Sequence, residues 1–255
     1  MLLAIDIGNT SVRFGIFRDD HLRASFRLAT RTALSADEAL LFIRGCLIHH
    51  QIEPTGITEA AIASVVPRLT QSIATAVGRL CDCPSLLITH RVRLPIDIDM
   101  PAPEQVGADR FANAAAGYHH YGGPLIVADF GTATTFDIVN DQGAYIGGVI
   151  TPGPETSLAE LARKAARLFE VPIEPPEQIV GRNTVEALKS GLFYGTVGQV
   201  DYIIQRIIGE TGFQETKVVA TGGLAGSISQ HSRYITETND TLTLEGIRLI
   251  VEANR

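Results

Sequence analysis

One pattern occurs twice in this chain and limits its fold more than any other feature. A short apolar strand runs into Asp-x-Gly and a polar turn, and a second strand follows at once. The first copy is Leu2 to Ile5, then Asp6-Ile7-Gly8-Asn9-Thr10, then Val12 to Phe17. The second is Leu125 to Ala128, then Asp129-Phe130-Gly131-Thr132, then Thr135 to Val139. Asp, Gly and Asn favour turns for local reasons, so one copy alone reads as an ordinary hairpin. Two copies in matched positions read as a duplicated architecture. Strands followed by helices, twice over, predict two α/β lobes with a cleft between them. The expected lobes are residues 1–118 and 119–255.

Hydrophobic periodicity supplies the helices. Ala36 to His49 fits an amphipathic helix with Leu40, Leu41, Ile43, Leu47 and Ile48 near one face. Glu104 to Tyr118 looks helical, and its alanines permit close packing. Glu155 to Phe169 carries an apolar stripe of Leu158, Leu161, Ala162, Ala165, Leu168 and Phe169. Further helices are expected over Thr184 to Ile208 and Leu244 to Glu252. Pro95 to Pro103 reads as a loop, and Lys217 to Ala220 as a strand running into Thr221-Gly222-Gly223.

Composition narrows the partners. The chain is 45% hydrophobic, enough for a sizeable core. Its net charge is −7 with no basic stripe, which argues against nucleic acid as a partner. The N-terminus meets Asp6 at once and has no basic leader. The longest uncharged stretch, Phe111 to Ala128, is broken by His119, His120, Gly122, Gly123 and Pro124, so no membrane span is expected. Cys46, Cys81 and Cys83 have no second pair to make a zinc site and read as reduced thiols. A soluble, cytoplasmic protein is expected.

The chain lacks the P-loop, the dinucleotide fingerprint, the zinc-protease helix and the nucleophile elbow. What remains is the pair of Asp-x-Gly turns. Small residues let backbone N–H groups approach an anionic phosphate closely. An Asp at a strand end can hold a cation or a metal-bound water. Two such turns could grip a phosphate chain from two sides.

Asp6-Ile7-Gly8-Asn9-Thr10 and Asp129-Phe130-Gly131-Thr132 resemble the two phosphate motifs of the acetate and sugar kinase, heat-shock and actin superfamily. Thr221-Gly222-Gly223-Leu224 resembles its adenosine motif. With Gly107-Ala108-Asp109-Arg110, Gly147 to Gly153 and Gly181-Arg182-Asn183-Thr184, the resemblance sharpens to type III pantothenate kinase and runs nearly the full length. It implies two duplicated ribonuclease-H-like, actin-like ATPase lobes. It also implies phosphorylation of pantothenate by ATP to 4′-phosphopantothenate, the first step of coenzyme A synthesis.

The resemblance assigns roles residue by residue. Asp109 would take the hydroxyl proton, as phosphoryl transfer to an alcohol requires late in the step. Arg110, with Gly107, Ala108 and Thr184, would bind pantothenate, the guanidinium fork matching its carboxylate. Thr184 also suits a helix N-cap before Val185. Residues Asp6, Ile7, Gly8, Asn9, Thr10, Ser11, Val12 and Arg13, together with Thr132, would bind ATP. Asp6 would orient Mg²⁺ or its waters, and Asp129 would ligate a monovalent cation, K⁺ or ammonium. A homodimer with the site at its interface is implied as well. Met100 stands where family members often place a Tyr that lines the pantothenate pocket. Two rival readings share the scaffold: a kinase of another small hydroxy acid or sugar, and a non-catalytic regulatory protein.

Overall fold

The structure, a computed structural model, describes residues 1–165, 168 and 170–255. By internal contacts the chain falls into two units, residues 1–116 with 241–255 and residues 117–240.

The first unit opens with β1 (Leu2–Ile7), β2 (Ser11–Arg18) and β3 (His21–Ala29), then α1 (Ala36–His49), β4 (Glu59–Ser64), α2 (Pro67–Cys81) and β5 (Ser85–Leu87). Its sheet runs β3-β2-β1-β4-β5. β1 is antiparallel to β2 and parallel to β4. Alternation sends Leu3, Ile5 and Ile7 to one face, where they pack with Ile43 and Leu47 of α1 and Leu69, Ile73 and Val77 of α2. α1 starts at a capping box in which Ser35 and Glu38 satisfy each other's backbone N–H. Its buried residues are Ala39, Ile43 and Leu47. Leu41 and Ile48 are 67% and 66% exposed, contrary to the sequence expectation. At about 100° per residue both fall on the side away from Ile43. A two-residue strand, β6 (Asp97–Ile98), interrupts the expected loop, and α3 (Ala108–Tyr121) follows.

The second unit repeats the scheme with β7 (Leu125–Phe130), β8 (Ala133–Val139), β9 (Ala144–Pro152), α4 (Pro154–Lys164), α5 (Thr184–Thr211), β10 (Lys217–Gly222), α6 (Ala225–Ser229) and β11 (Glu237–Thr238). Its strands run β9-β8-β7-β10-β11, which is third, second, first, fourth, fifth, as in the first unit. α4 stops at Lys164, and Ala165 turns extended at φ −107. Phe169, expected in that helix, lies outside the described residues.

The last helix, α7 (Leu242–Ala253), belongs to the first unit and packs on β1, β2 and β4. The lobe boundary read from the sequence had assigned it to the second. It lies so close to α3 that a Cβ on Gly246 would sit 1.9 Å from the Ala112 carbonyl oxygen. The buried Thr243 hydroxyl donates to Asn113 Oδ1 at 2.7 Å. α7 thereby holds the first turns of α3 in place.

Candidate active site

The first turn joins the carboxyl end of β1 to β2, with Asn9 and Thr10 exposed at its tip. Its carbonyls are occupied from within. Gly8 N–H donates to the Ser11 carbonyl at 3.0 Å, and Thr30 N–H to that of Thr10 at 2.9 Å. The Thr30 hydroxyl donates to the Gly8 carbonyl at 2.7 Å. A turn meant for phosphate must turn its acceptors away and leave N–H groups toward the anion. Thr30, which no sequence motif marked, performs that task here. Asp6 is half-buried and pairs across the sheet with Arg13. Arg13 pairs in turn with Arg27 on β3.

Gly107 and Asp109 meet the same end of the sheet. Val65, just past β4, donates its N–H to the Ile7 carbonyl at 3.1 Å. A Cβ on Gly107 would lie 3.3 Å from the Val65 side chain and 2.3 Å from Asp109 Oδ1. Only glycine leaves room for the carboxylate in this position. Asp109 sits in the first turn of α3, where partial positive charge favours a carboxylate, and its Oδ1 accepts from Arg110 N–H at 2.9 Å. Gly107, Ala108, Asp109 and Arg110 therefore stand beside the carboxyl ends of β1 and β4.

The second turn is built alike but clamped differently. Gly131 N–H donates to the Ala133 carbonyl at 3.1 Å. The Thr132 carbonyl accepts from Gly153 N–H at 3.0 Å and from the Thr156 hydroxyl at 2.6 Å. The Phe130 carbonyl accepts from Gly223 N–H at 3.2 Å. Gly153 and Gly222 sit so close that a Cβ would approach Gly131 O to 2.3 Å and Phe130 O to 2.5 Å, respectively. Gly222 also has φ +93, a region costly for any other residue. Asp129 pairs in register with Thr135 on β8 and Thr221 on β10, so three oxygen-bearing side chains share one face. Thr221 is wholly buried, and its hydroxyl has no hydrogen-bond partner among the described residues. That oxygen set suits a hard monovalent cation.

Comparison with known proteins agrees on one family. A profile for type III pantothenate kinase matches residues 2–206. The type III pantothenate kinase of Frankia alni is 43% identical over the full length of both chains. That of Agathobacter rectalis is 38% identical, covering 98% of this chain and 96% of its own. The chain belongs to the type III pantothenate kinase family. Among solved structures, a putative 2-dehydro-3-deoxygalactonokinase from Sinorhizobium meliloti superimposes with a TM-score of 0.61 at 16% identity, covering 99% of this chain and 96% of that one. At that identity the likeness speaks for the fold, two ribonuclease-H-like lobes of the actin-like type.

For a type III pantothenate kinase, the remaining candidates are placed as follows. Thr184 is exposed at the first position of α5, and the capping task falls to Asn183, whose side chain accepts from Glu186 N–H at 3.0 Å. Gly181 lies against this turn, 2.2 Å from Ala187 N for a notional Cβ. Asp137, the next carboxylate after the second turn, is wholly buried and accepts from the Tyr145 hydroxyl at 3.1 Å. A cavity of about 310 Å³ is lined by Ile138, Ile146, Tyr202 and Arg206, among others, and by none of the candidate site residues. No helix among the described residues is long and apolar enough to cross a membrane.

Proposed function

We propose that this chain transfers the γ-phosphoryl group of ATP to the primary hydroxyl of pantothenate, giving ADP and 4′-phosphopantothenate. The observation that carries the reading is full-length kinship with type III pantothenate kinases, joined to an Asp-bearing helix start beside a phosphate-type turn. Residues Asp6 to Arg13 and Thr132 hold the ATP phosphates, mostly through backbone N–H groups. Gly107, Ala108, Arg110 and Thr184 seat pantothenate, with the Arg110 fork on its carboxylate. As the hydroxyl oxygen bonds to the γ-phosphorus, the bond to the ADP oxygen breaks. The hydroxyl proton then passes to Asp109.

Cations complete the charge balance. Among the described residues no three acidic, His or Cys side chains converge as a metal cage. Mg²⁺ at Asp6 would therefore fill its shell with phosphate oxygens and water. Asp129, with Thr135 and Thr221 on its face, would hold K⁺ or ammonium. These ions neutralise phosphate charge, and the protein's own residues position it.

Self-association is part of the proposal. Ile150, Ile179, Val180 and Tyr202, all in the second unit, are 60 to 73% exposed, an apolar surface suited to a second copy. A cytoplasmic setting accords with the three free cysteines.

ADP release in K⁺ and in Na⁺ buffer, with and without pantothenate, tests the reading. Pantothenate-dependent turnover is expected, higher in K⁺. Asp109→Asn is expected to lower kcat by about 10²–10⁴ with intact folding. Gly107→Ala should act in the same direction by displacing the carboxylate. Turnover with a sugar but not with pantothenate would overturn the acceptor assignment.

A further inference from the structure

Arg27 has no place in the motifs, yet its position gives it a task. β1, β2 and β3 carry Asp6, Arg13 and Arg27 in one cross-strand row, all on the same face of the sheet. Like charges directly opposite each other on a sheet destabilise it unless an anion is shared. Asp6 balances one of the two guanidinium groups and leaves the other in surplus. Arg27 feels the charges of both Arg13 and Asp6 across the strands. The row lies close to the first turn in sequence, with Asp6 two residues before Gly8 and Arg13 three after Thr10. Thr30, three residues past Arg27, is the residue that clamps this turn, so β3 reaches the site twice.

Burial and the neighbouring Arg13 lower the Arg27 pKa, and Asp6 opposes them. The group remains charged, held at a cost that a bound polyanion would reverse.

We propose that Arg27 is a further phosphate-binding residue of this kinase, sharing the polyphosphate of ATP with Arg13 above the first turn. The inference rests on the kinase reading. It adds a contact that lies outside the Asp-x-Gly motifs and outside residues 6–13. The arginine fork is suited to a phosphate in a way that a single ammonium is not.

The test compares wild type, Arg27→Gln and Arg27→Lys by calorimetric titration with MgATP, by the KM for each substrate, and by thermal unfolding with and without MgATP. Arg27→Gln is expected to weaken MgATP binding about tenfold, the scale of one charge-assisted contact. The pantothenate KM should stay unchanged, and Arg27→Lys should fall in between. Without ligand the Gln variant should melt at or above the wild-type temperature, because the like-charge pair is gone. Its gain in melting temperature on adding MgATP should be smaller. A lower ligand-free melting temperature with unchanged MgATP affinity would make Arg27 structural and overturn the proposal. So would a raised pantothenate KM with normal MgATP binding. Wild-type protein that fails to bind MgATP would sink the kinase reading itself, whereas normal wild-type binding with an unaffected Gln variant sinks this proposal alone.

Discussion

The two Asp-x-Gly turns share a strand order and an internal hydrogen bond, but the residues across the strands from each Asp differ in charge. Asp6 faces Arg13, with Arg27 beyond it, whereas Asp129 faces Thr135 and Thr221. The first Asp has arginines across the strands, and the second has threonine hydroxyls. Their clamps differ as well. Thr30, from the adjacent strand, ties the first turn. Gly153, Thr156 and Gly223, from later segments, tie the second. A duplicated scaffold thus carries two different settings for its Asp, decided by the residue one strand over from each.

The sharpest way to break this comparison is at the aspartates. Asp129→Asn is expected to cost about a hundredfold in kcat and to erase the advantage of K⁺ over Na⁺. Asp6→Asn should also be slow but should keep that advantage. Loss of the K⁺ preference in Asp6→Asn would reverse the assignment. Next in size is Gly222→Ala. Its positive φ and the 2.5 Å approach to Phe130 O predict a loss of about 2–4 kcal/mol in chemical denaturation. Gly8→Ala meets only the Ser11 carbonyl at 3.2 Å and should cost far less. Equal losses at both glycines would show that the turns are clamped alike. The smallest effect is expected for Thr30→Val. Loss of one hydrogen bond, about 1 kcal/mol, should raise the KM for ATP a few-fold while the KM for pantothenate holds.

The repeat itself was legible because Asp, Gly and small polar residues at strand ends are dictated by local backbone chemistry. α1 spans Ala36–His49 as its apolar periodicity predicts, and the structure adds the capping box at Ser35 and Glu38. Gly107 to Arg110 were legible by resemblance, and the structure adds why Gly107 is a glycine. Arg27 was not legible. β2 and β3 shift register at Ile16/Phe17, and without that bulge Arg13 would face Phe26 rather than Arg27. A one-residue irregularity of that kind leaves no mark in apolar periodicity. Thr30 and Thr156 escaped for a similar reason, since each acts on a turn distant in sequence. The exposed Leu41 and Ile48 show the opposite error, apolar residues assigned to the face of Ile43 though the helical turn carries them away from it.

The return of α7 to the first unit has a consequence for how the protein comes into being. Residues 117–240 form one uninterrupted span, so the second unit has all its parts before the last helix is made. The first unit lacks the helix that covers β1, β2 and β4 and steadies the start of α3 until residue 253 has emerged. Domains usually mature in the order of synthesis. Here β1, β2 and β4 wait for α7, and α3 gains the Thr243 contact to Asn113 only once residues 242–253 have been made.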